Sequence, residues 1–523
     1  MTEELMHWAD QTARQVVKEK GEKKEYVVAA GITPSGTVHM GNFREIITQE
    51  LVAKGLEKLG KKVRFIYSWD DYDVFRKVPV NMPKKDILIK YLRKPIVDVP
   101  DTFDCKHASY AMHNEKPVEE ILPTVGIQPE FIYQNKMYRQ CKYANGIKTA
   151  LENASKIKDI LDKKRKEPLS EDWLPVSIFC EKCGKDTISK IEYKGDYNLY
   201  YECDCGDKQE FDFRKKGIAK LLWRIDWPMR WVYETVDFES AGKDHFAAGG
   251  SRDTCAEIIE AVWKTKAPVG FMYEFIKIKG GQQFSSSKGI ATTLQDVLEI
   301  YEPNMVRWLF AGTRPNGDFA ISFDLDVLKI YEDFDKCERI YYDKKEAKDD
   351  KEYEKQRRIY ELSAINLSKK QPFQPSFRHL TSIIQIYESD FKKIRDSYKD
   401  DLKTKEDVER LNSRVVCATN WLNKHAPEEM KFKVLDEVPK GLNLSDNQKK
   451  ALHMIADKLK EKKYNEKTLF EEFYEICQNL EIKPGELFQA GYKVLLNKDR
   501  GPKLASFILI LGKDRVIKMF EQV

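Results

Sequence analysis

Hydrophobic and polar positions near the start of the chain predict a strand, a loop and a helix in succession. Residues 26–30 (YVVAA) form a short apolar run with β-branched members, which is typical of a strand. After a turn-rich stretch, apolar residues recur at helical spacing: Phe43, Ile46, Ile47, Leu51, Val52, Leu56 and Leu59. Asn42 can cap this helix, Gly60 can end it, and residues 63–68 (VRFIYS) predict the next strand. The pattern indicates one βαβ unit, and therefore a parallel sheet covered by helices on both faces.

Two later regions depart from this rhythm. Between about Lys94 and Arg214 the sequence is rich in cysteine, histidine and charged residues, and we expect an insertion that carries metal. From Asp343 onward the pattern is helical. It opens with a charged run, DKKEAKDDKEYEKQRR, that predicts a linker or a solvated helix face. Further on, residues 445–448 (SDNQ) form a capping box before an apolar helix.

We therefore predict an α/β fold, in which a Rossmann-like parallel sheet with a metal-bearing insertion precedes an all-α C-terminal domain. The predicted domains are residues 1–95 and 215–290 for the two halves of the sheet domain, 96–214 for the insertion, 291–342 for a connecting helical subdomain and 343–523 for the helical C-terminal domain.

Length and composition narrow the class of protein. At roughly 150 residues per domain, 523 residues suggest about three to four domains, and 41% hydrophobic residues exclude a disordered or fibrous chain. Lys plus Arg is 90 against 85 for Asp plus Glu, so the net charge of +5 excludes a uniformly basic coat but not a local basic face.

Targeting and cysteine usage point to one compartment. No apolar run approaches the roughly 18 residues of a membrane span, and the acidic first segment lacks the apolar core of a secretory signal. Ten cysteines are too few for a disulfide scaffold. A reducing, cytoplasmic location fits best.

Three loops carry groups suited to a nucleotide, and the first is residues 34–42 (PSGTVHMGN). Its small residues Ser35, Gly36 and Gly41 permit close approach of a ligand to the backbone, and the following helix presents free N–H groups and partial positive charge to an anion. His39, just before that helix, can donate a hydrogen bond to a phosphate oxygen. Taken alone, a histidine in a glycine-containing turn suits a structural role equally well.

The other two loops lie further along the chain. Residues 280–289 (GGQQFSSSKG) place three serines and Lys288 between glycines, and Lys288 can neutralise charge that builds on a pyrophosphate leaving group. The alternative is a flexible, serine-rich surface loop. In residues 242–245 (GKDH), Asp244 follows Gly242 closely and can bond both hydroxyls of a ribose, as acids do in other nucleotide-binding folds.

The motifs in these loops resemble those of a known enzyme class. HMGN at residues 39–42 resembles the HIGH signature of class I aminoacyl-tRNA synthetases, and FSSSKG at residues 284–289 resembles their KMSKS loop. The fourth HIGH residue is Asn42 rather than histidine, and the lysine of the serine-rich loop comes one place later. Both features look like the class I lysyl-tRNA synthetases in particular. Further segments similar to that family are AGITPSG, WDDYD, WRIDWPMRW, AGKDH and GPKLASFILILGK.

This resemblance implies an ATP-dependent ligase that activates L-lysine and transfers it to the 3′ end of tRNA(Lys), with Mg²⁺ accompanying ATP. It implies catalytic roles for His39, Asn42 and Lys288. The implied ATP-binding residues are Pro34, Ser35, Gly36, His39, Gly41, Asn42, Gly242, Asp244, Ser285, Ser286, Ser287 and Lys288. The implied lysine-binding residues are Gly31, Thr33, Asp70, Asp71, Trp223 (or Trp227), His245 and Tyr273. Gln283 departs from the family by replacing the first lysine of KMSKS, which leaves phosphate binding to rest more heavily on Lys288.

A lysine pocket also needs a group that recognises the ε-ammonium. A buried carboxylate there would reject an uncharged ligand, because the carboxylate would be left unpaired. Asp70 and Asp71 lie at the end of the second predicted strand, beside residues 34–42, which we call the nucleotide loop. Either carboxylate suits this role. The alternative for both is a structural cap or an ion pair with Arg76 or Lys77. Aromatic side chains suit the apolar stem and the cation of lysine, and equally suit ordinary core packing.

Cysteine spacing predicts a structural metal site. The pairs Cys180 with Cys183 and Cys203 with Cys205 fit closed, tetrahedral Zn²⁺, and each pair is followed by a glycine that permits a tight turn. A second set resembles a site of the class I lysyl-tRNA synthetases: Asp101, Cys105, His107 and His113. Lys106 separates a cysteine and a histidine that are usually adjacent there. We predict one zinc ion and allow for two; the alternative for the second set is four unligated polar residues.

The remaining expectations concern tRNA. The region 343–523 resembles the anticodon-binding helical cage of related enzymes, in which basic and aromatic side chains would contact phosphates and stack splayed bases. Residues 156–166 (KIKDILDKKRK) predict a basic helix that contacts the tRNA acceptor arm or is merely solvated. Two other functions stay open: a class I synthetase for another amino acid, such as glutamate, and a zinc-containing RNA-binding protein without catalysis. A monomer is favoured, and no membrane partner is expected.

Overall fold

The computed structural model describes residues 6–79, 82–247, 249–280 and 292–523. The chain divides into two compact units. The first unit comprises Met1–Leu298, Pro303–Ile321 and Asp343–Leu367, and the second comprises Glu299–Glu302, Ser322–Tyr342 and Ser368–Val523.

Helices and strands alternate through the first unit. In chain order its elements begin with α1 (Trp8–Lys20), β1 (Tyr26–Ile32), α2 (Met40–Lys58), β2 (Val63–Trp69), α3 (Lys85–Ile89), α4 (Tyr110–Ile121), β3 (Glu130–Tyr133), α5 (Gln134–Arg139), α6 (Ala144–Glu152) and α7 (Ala154–Asp162). They continue with β4 (Val176–Ile178), β5 (Ile188–Gly195), β6 (Asn198–Cys203), β7 (Lys208–Asp212), β8 (Ala219–Leu221), α8 (Trp223–Tyr233), β9 (Ala241–Gly242), α9 (Lys243–Phe246), α10 (Ser251–Ile258), β10 (Met272–Tyr273), β11 (Ile276–Ile278), α11 (Leu294–Leu298), α12 (Pro303–Ala311) and β12 (Phe319–Ile321).

The later elements are helices. They are α13 (Asp326–Tyr342) of the second unit, α14 (Asp350–Ser363) of the first, and then α15 (Phe377–Ile386), α16 (Phe391–Ser397), α17 (Lys405–Lys424), α18 (Asp446–Glu461), α19 (Glu466–Asn479), α20 (Pro484–Leu496), α21 (Leu504–Leu511) and α22 (Lys513–Phe520) of the second.

The core of the first unit is a parallel sheet in the order β3-β2-β1. Near the carboxyl ends of two strands, Gly31 of β1 lies opposite Ser68 of β2. On the other edge of β1, Val28 bridges Phe238, and Phe238 bridges Val269, again in parallel. The sheet therefore extends to both sides of β1. In such sheets ligands bind beyond the carboxyl ends of the strands where the order reverses, which here is the end of β1.

Helix α2 is the crossover between β1 and β2 that the apolar spacing predicted. Its N-cap residue is His39 rather than Asn42. Asn42 is the third helical residue and caps the helix from within, because its Oδ1 accepts a hydrogen bond from the His39 N–H at 3.1 Å. Gly60 follows the helix with a φ of 74°, a left-handed conformation that glycine adopts without strain.

The α/β order is interrupted by the insertion, as predicted. Strands β5, β6 and β7 form an antiparallel sheet, and β4 pairs with β8. Buried and partly exposed residues alternate along β6, where Leu199, Tyr201 and Cys203 face the core. This is the pattern of a strand with one covered face. Cys180 and Cys183 follow β4, and Cys203 ends β6, so the two knuckles lie at the ends of strands from two different sheets.

Residues 343–523 form helices and loops without a strand, which confirms the predicted helical C-terminal region. Residues 343–367 belong to the first unit, and the second unit also takes in residues 299–302 and 322–342. Ser445 and Gln448 cap α18 reciprocally: the Ser445 hydroxyl accepts from the Gln448 N–H at 3.2 Å, and the Gln448 side chain accepts from the Ser445 N–H at 3.0 Å. Of the charged run that opens at residue 343, residues 350–358 lie in α14, and the residues before them form a short 3-10 turn and a connection. No helix in the described part of the chain is long and apolar enough to cross a bilayer.

Candidate active site and metal-binding clusters

A cavity of about 780 Å³ opens at the carboxyl ends of β1 and β9. The structure brings most of the predicted nucleotide and amino-acid residues to its wall: Gly31, Thr33, Ser35, Gly36, His39, Gly41, Asn42, Asp70, Trp223, Gly242, Asp244, His245 and Tyr273. These residues come from five separate stretches of sequence. Their convergence on one cavity at the point where the strand order reverses is the main geometric finding.

Several predicted residues lie elsewhere. Pro34 does not line the cavity, and its carbonyl accepts a hydrogen bond from Asn114 Nδ2 at 3.4 Å. The structure does not bring Asp71 to the cavity either, because its buried carboxylate accepts from the backbone N–H and the side-chain amide of Asn135. Burial raises the pKa of Asp71 to about 6. Residues 281–291, which include Ser285, Ser286, Ser287 and Lys288, lie outside the described residues.

His39 lies at the N-terminus of α2 and lines the large cavity. As the N-cap residue of α2, it is placed beside backbone N–H groups that lack partners within the helix. Burial lowers the pKa of its imidazole below the ordinary value. The ring is therefore neutral at physiological pH, and a neutral imidazole carries one N–H that can be donated to an anionic oxygen. Together with the positive end of the helix dipole, this suits a phosphate group.

A smaller aromatic cavity of about 80 Å³ continues from the larger one. Trp223, Trp227 and Trp231 line it, with the rings of Trp223 and Trp227 stacked at 5.0 Å between centroids. Both cavities are lined by Gly31, Glu45, Asp70, Trp223, His245 and Tyr273. Trp223 lines both cavities whereas Trp227 lines only the smaller one, so the two tryptophans left open by the sequence are not equivalent.

Glu45 is a functional candidate that the sequence did not reveal. It lies on α2 deep in the unit, and its carboxylate accepts from the Gly31 N–H at 3.1 Å and from the Tyr273 hydroxyl at 3.3 Å. No lysine or arginine among the described residues forms an ion pair with it. Burial raises the pKa of Glu45 to about 8. A half-buried carboxylate that faces a cavity and forms no ion pair is suited to bind a cation.

Asp70 differs from Glu45 because it already has a cation. The Arg230 guanidinium donates to its two oxygens at 2.6 and 3.3 Å. Arg230 and the buried Lys220 belong to a larger network, in which Lys220 lies 2.9 Å from Asp73 and 3.3 Å from Asp226. The network thus holds three carboxylates (Asp70, Asp73 and Asp226) and two cations (Lys220 and Arg230). Asp70 and Asp73 line the large cavity.

Four cysteines form a cluster with the dimensions of a zinc site. The Sγ atoms of Cys180 and Cys205 lie 3.6 Å apart, and those of Cys183 and Cys203 lie 3.7 Å apart. Thiolates at a Zn–S distance of about 2.3 Å stand about 3.8 Å from one another in a tetrahedron. The glycines after the pairs, 184 and 206, have φ angles of 70° and 86°, as the knuckle prediction required. The cluster fits Zn²⁺ in a closed, structural site.

The second predicted metal set is also brought together. One donor atom each from Asp101, Cys105, His107 and His113 lies within 4.8 Å of the others. Cys105 Sγ is 3.0 Å from His113 Nδ1 and 3.1 Å from His107 Nδ1. The structure therefore includes His107 despite the intervening Lys106. A carboxylate, a thiol and two imidazoles at these separations suit a transition metal such as zinc.

The basic stretch at residues 156–166 has partners of its own. Helix α7 covers its first part, where Lys158 pairs with Asp162 at 2.9 Å and Lys156 donates to Asn153 Oδ1 at 2.9 Å. Lys164 pairs with Glu257. These internal pairs favour the solvated-face interpretation, and contact with the tRNA acceptor arm stays a prediction.

The second unit has a cavity of about 680 Å³ with basic side chains on its wall. Arg378, His379, Arg500 and Lys503 line it, together with Glu466 at the start of α19. One and two turns along that helix, Phe470 and Tyr474 are each 44% exposed, with ring centroids 5.0 Å apart. We call these two side chains the aromatic pair. Residues four apart share one face of a helix, so the aromatic pair begins beside the rim of the cavity.

Comparisons with known proteins bear on both units. A family model described as tRNA synthetases class I (K) matches residues 6–366, and a model of an anticodon binding domain matches residues 390–522. A lysine–tRNA ligase of Borreliella burgdorferi is 48% identical over 98% of this chain and 98% of its own. That of Treponema pallidum is 44% identical over 99% of this chain and 98% of its own. That of Thermococcus kodakarensis is 40% identical over 98% and 99%.

Proposed function

The chain belongs to the family of class I (K) tRNA synthetases, and from this premise we propose that it is an ATP-dependent lysine–tRNA ligase. The carboxylate of L-lysine attacks the α-phosphorus of ATP, and the bond from that phosphorus to pyrophosphate breaks. A hydroxyl of the terminal ribose of tRNA(Lys) then attacks the lysyl carbonyl carbon, and AMP leaves with the bonding electrons. Relatives named lysine–tRNA ligase, 40% to 48% identical over almost the whole chain, support this assignment.

The large cavity is the site we assign to ATP. The start of α2, with neutral His39 and the glycines 36 and 41, faces the phosphates; Gly242 and Asp244 face the ribose. Lys288 and the serines before it are assigned to the pyrophosphate on sequence grounds alone. Mg²⁺, when bound to the phosphates, supplies charge neutralisation there. A preorganised donor aimed at developing charge contributes about 2.7–4 kcal/mol.

The lysine side chain is assigned to the aromatic cavity, and one observation carries this assignment. Glu45 is a carboxylate deep in the fold, it faces both cavities, and it has no cationic partner among the described residues. The ε-ammonium of lysine would supply that partner, while Trp223 and Tyr273 cover the apolar stem. A glutamate side chain would instead bring a second carboxylate beside Glu45, and like charges repel at this distance.

The α-amino group of the substrate is assigned to the network around Asp70. Because that network holds three carboxylates and two cations, one positive charge completes it. Thr33 lies beside it and donates to Asp73 at 2.8 Å. In this arrangement Asp70 binds the end of lysine that all amino acids share, and Glu45 binds the end that distinguishes lysine.

The two donor clusters are assigned to zinc as structural sites. Cys180, Cys183, Cys203 and Cys205 would hold one ion, and the set of Asp101, Cys105, His107 and His113 would hold a second. Both sets use all their protein ligands, which leaves no open position for substrate. When bound, zinc links segments of the insertion that have little regular structure, and it takes no part in the chemistry.

The second unit is assigned to the anticodon of tRNA(Lys). Its cavity offers guanidinium and ammonium groups for phosphates, and the aromatic pair offers two exposed rings beside the rim. Single-stranded bases stack on such rings, and phosphates bind such cations. The family model of an anticodon binding domain covers the aromatic pair and Arg500. We also retain the predictions of a monomer and of a cytoplasmic location.

Pyrophosphate exchange tests the function as a whole. The purified chain is incubated with ATP, labelled pyrophosphate and a tRNA(Lys) transcript, and exchange is compared for lysine, ornithine, arginine and glutamate. We expect lysine to support exchange far better than the others, followed by lysylation of the transcript. Exchange with glutamate alone would indicate the glutamate-type alternative. No exchange with any amino acid, combined with tight tRNA binding, would indicate a non-catalytic RNA-binding protein.

A further inference from the structure

Helix α4 touches the nucleotide loop through two side chains. The Tyr110 hydroxyl donates to the Ser35 carbonyl at 2.8 Å. One turn later, Asn114 Nδ2 donates to the Pro34 carbonyl at 3.4 Å. Both donors are buried, with Tyr110 at 0% and Asn114 at 5% exposure. Two successive carbonyls of the loop that lines the ATP cavity are therefore held by one face of a single helix.

The same turn of α4 carries a donor of the second metal set. His113 lies between the two side chains in sequence, and its Nδ1 is 3.0 Å from Cys105 Sγ and 3.7 Å from Asp101 Oδ1. Its ring also stacks on Phe103 at 4.0 Å between centroids. The loop that supplies the other three donors thus packs directly against the start of α4.

The segment from residue 99 to the helix has few fixed points of its own. It contains no helix or strand between residues 100 and 109. It is fixed at its ends, where the Tyr110 N–H donates to the Val99 carbonyl at 2.8 Å and Ser109 caps the helix. An ion bound by four side chains closes such a loop, and the free energy of metal binding then stabilises the ordered conformation of the loop.

A small cavity of about 150 Å³ is lined both by α4 and by the nucleotide loop. Its wall includes His113 and Asn114 together with Thr37, Val38 and His39. His39 also lines the ATP cavity. A displacement of the first turn of α4 would therefore shift residues that also line the ATP cavity.

We infer that Tyr110 and Asn114 are positioning residues for ATP, and that metal on the set of Asp101, Cys105, His107 and His113 acts on ATP affinity through them. This inference rests on the proposed function. The metal fixes the start of α4, α4 holds the Pro34 and Ser35 carbonyls, and the loop then presents Ser35 and Gly36 to the phosphates. The aromatic wall of the lysine pocket, formed by Trp223, Trp227 and Trp231, lies on α8 rather than on α4 or the nucleotide loop. We therefore expect lysine affinity to change less than ATP affinity.

The first test removes one hydroxyl. Tyr110→Phe keeps the buried ring and deletes the hydroxyl, with its hydrogen bond to the Ser35 carbonyl and its contact with the Asn114 side chain. The matched control is Tyr331→Phe, in the second unit, whose hydroxyl donates to the Ile300 carbonyl at the same 2.8 Å and which is equally buried. Equilibrium binding of a non-hydrolysable ATP analogue and of lysine is measured by calorimetry. We expect the Kd of the analogue to rise about two- to tenfold in Tyr110→Phe, with a smaller change in the Kd of lysine and an unchanged zinc content.

The second test uses the metal itself. Zinc-stripped wild-type protein should bind the ATP analogue more weakly than zinc-loaded protein, and added Zn²⁺ should restore the affinity. Cys105→Ser should reproduce the weaker binding with one zinc ion fewer, whereas the control Cys141→Ser, at a cysteine outside both clusters, should not. In the double variant Tyr110→Phe/Cys105→Ser, the two effects should add only in part, because the metal acts through the Tyr110 contact as well as through Asn114.

The outcomes separate the inference from the proposed function. Wild-type protein that binds neither lysine nor the ATP analogue would contradict the function. Normal binding of both by wild type, with an unchanged analogue Kd in Tyr110→Phe, would overturn the role of Tyr110. Effects of zinc removal and Tyr110→Phe that add in full would overturn the link between them. Where Cys105→Ser does not fold, as judged by lost lysine binding, the zinc titrations of wild type and Tyr110→Phe give the same comparison.

Discussion

Replacing Glu45 with glutamine tests the lysine pocket most directly. Glutamine has nearly the same shape. Its carbonyl can still accept from the Gly31 N–H, and its amide NH2 can donate to the Tyr273 oxygen in place of the bond that Tyr273 donates to Glu45. The change therefore removes the charge and keeps both contacts. A hydrogen bond to a charged group contributes about 1.5–3 kcal/mol, and about 1.4 kcal/mol is tenfold in Kd. The Kd of lysine should therefore rise about 10- to 150-fold, while the Kd of an ATP analogue should change little.

The raised pKa of Glu45 adds a pH dependence to this prediction. Because burial raises that pKa to about 8, the carboxyl of the free enzyme is mostly neutral at lower pH, and the ammonium of lysine binds the ionised form. The wild-type Kd for lysine should therefore rise by up to about tenfold for each pH unit below 8. In Glu45→Gln this dependence should disappear, so the difference between variant and wild type should shrink as the pH falls.

Calorimetric titration of lysine from about pH 6 to about pH 8 measures both effects, and heats in two buffers count the proton released on binding. The matched control is Glu57→Gln, on the same helix, where the carboxylate is 49% exposed and pairs only with Lys54. A lysine Kd in Glu45→Gln equal to that of wild type, or the same pH profile in both, would refute the reasoning. The ε-ammonium would then have to bind elsewhere, with Asp70 as the next candidate.

Four further predictions concern other parts of the molecule. Lys288→Ala should slow lysine-dependent pyrophosphate exchange by at least about 10²-fold, and a rate within a few-fold of wild type would remove Lys288 from the mechanism. Phe470→Ala should weaken tRNA(Lys) binding by about 1–3 kcal/mol in a filter-binding assay, whereas Phe391→Ala, an equally exposed ring of the same unit, should not. Cys205→Ser should release one zinc ion, measured by a colorimetric chelator, and lower the melting temperature; full zinc content would exclude the cluster as a site. Arg414→Ala should lower the free energy of unfolding by about 3–5 kcal/mol in urea, because it leaves Asp335 without its paired cation and Glu302 with Arg410 alone.

The sequence predicted those parts of the fold that depend on neighbours along the chain. The run YVVAA and the helical spacing after Phe43 predicted β1 and α2 correctly, because strand and helix periodicity are local properties. The cysteine knuckles were predictable for the same reason, since Cys180 and Cys183 are three residues apart and the turn between them needs only a permissive glycine. Even the capping box at Ser445 appears where its four-residue pattern indicated.

Contacts between distant residues could not be predicted in this way. Glu45 lies on a helix that is buried on almost all sides, where Arg44, Glu45, Thr48, Gln49 and Glu50 are all polar. Nothing local distinguishes Glu45 from Glu50, yet Glu50 pairs with Arg307 at 2.8 Å, more than two hundred residues away. Only the long-range partner decides which of these carboxylates is structural and which faces the cavity.

The same argument explains why Asp70 and Asp71, which follow β2, were both candidates for binding the ammonium of lysine and why the structure distinguishes them. Asp70 and Asp71 both follow a strand end, which is where ligands bind, so position alone favours both. In the fold, Asp71 is satisfied by Asn135 and Asp70 by Arg230. Because Arg230 already offsets part of the cost of burying Asp70, Asp70 gains less from the ε-ammonium than a carboxylate without a cation would. The excess negative charge of its network still suits the α-amino group. Asp71 also has only neutral donors, but it does not line the cavity, whereas Glu45 has only neutral donors and lines both cavities. We therefore expect the selectivity for lysine to depend on Glu45, which forms no ion pair with the described lysines and arginines.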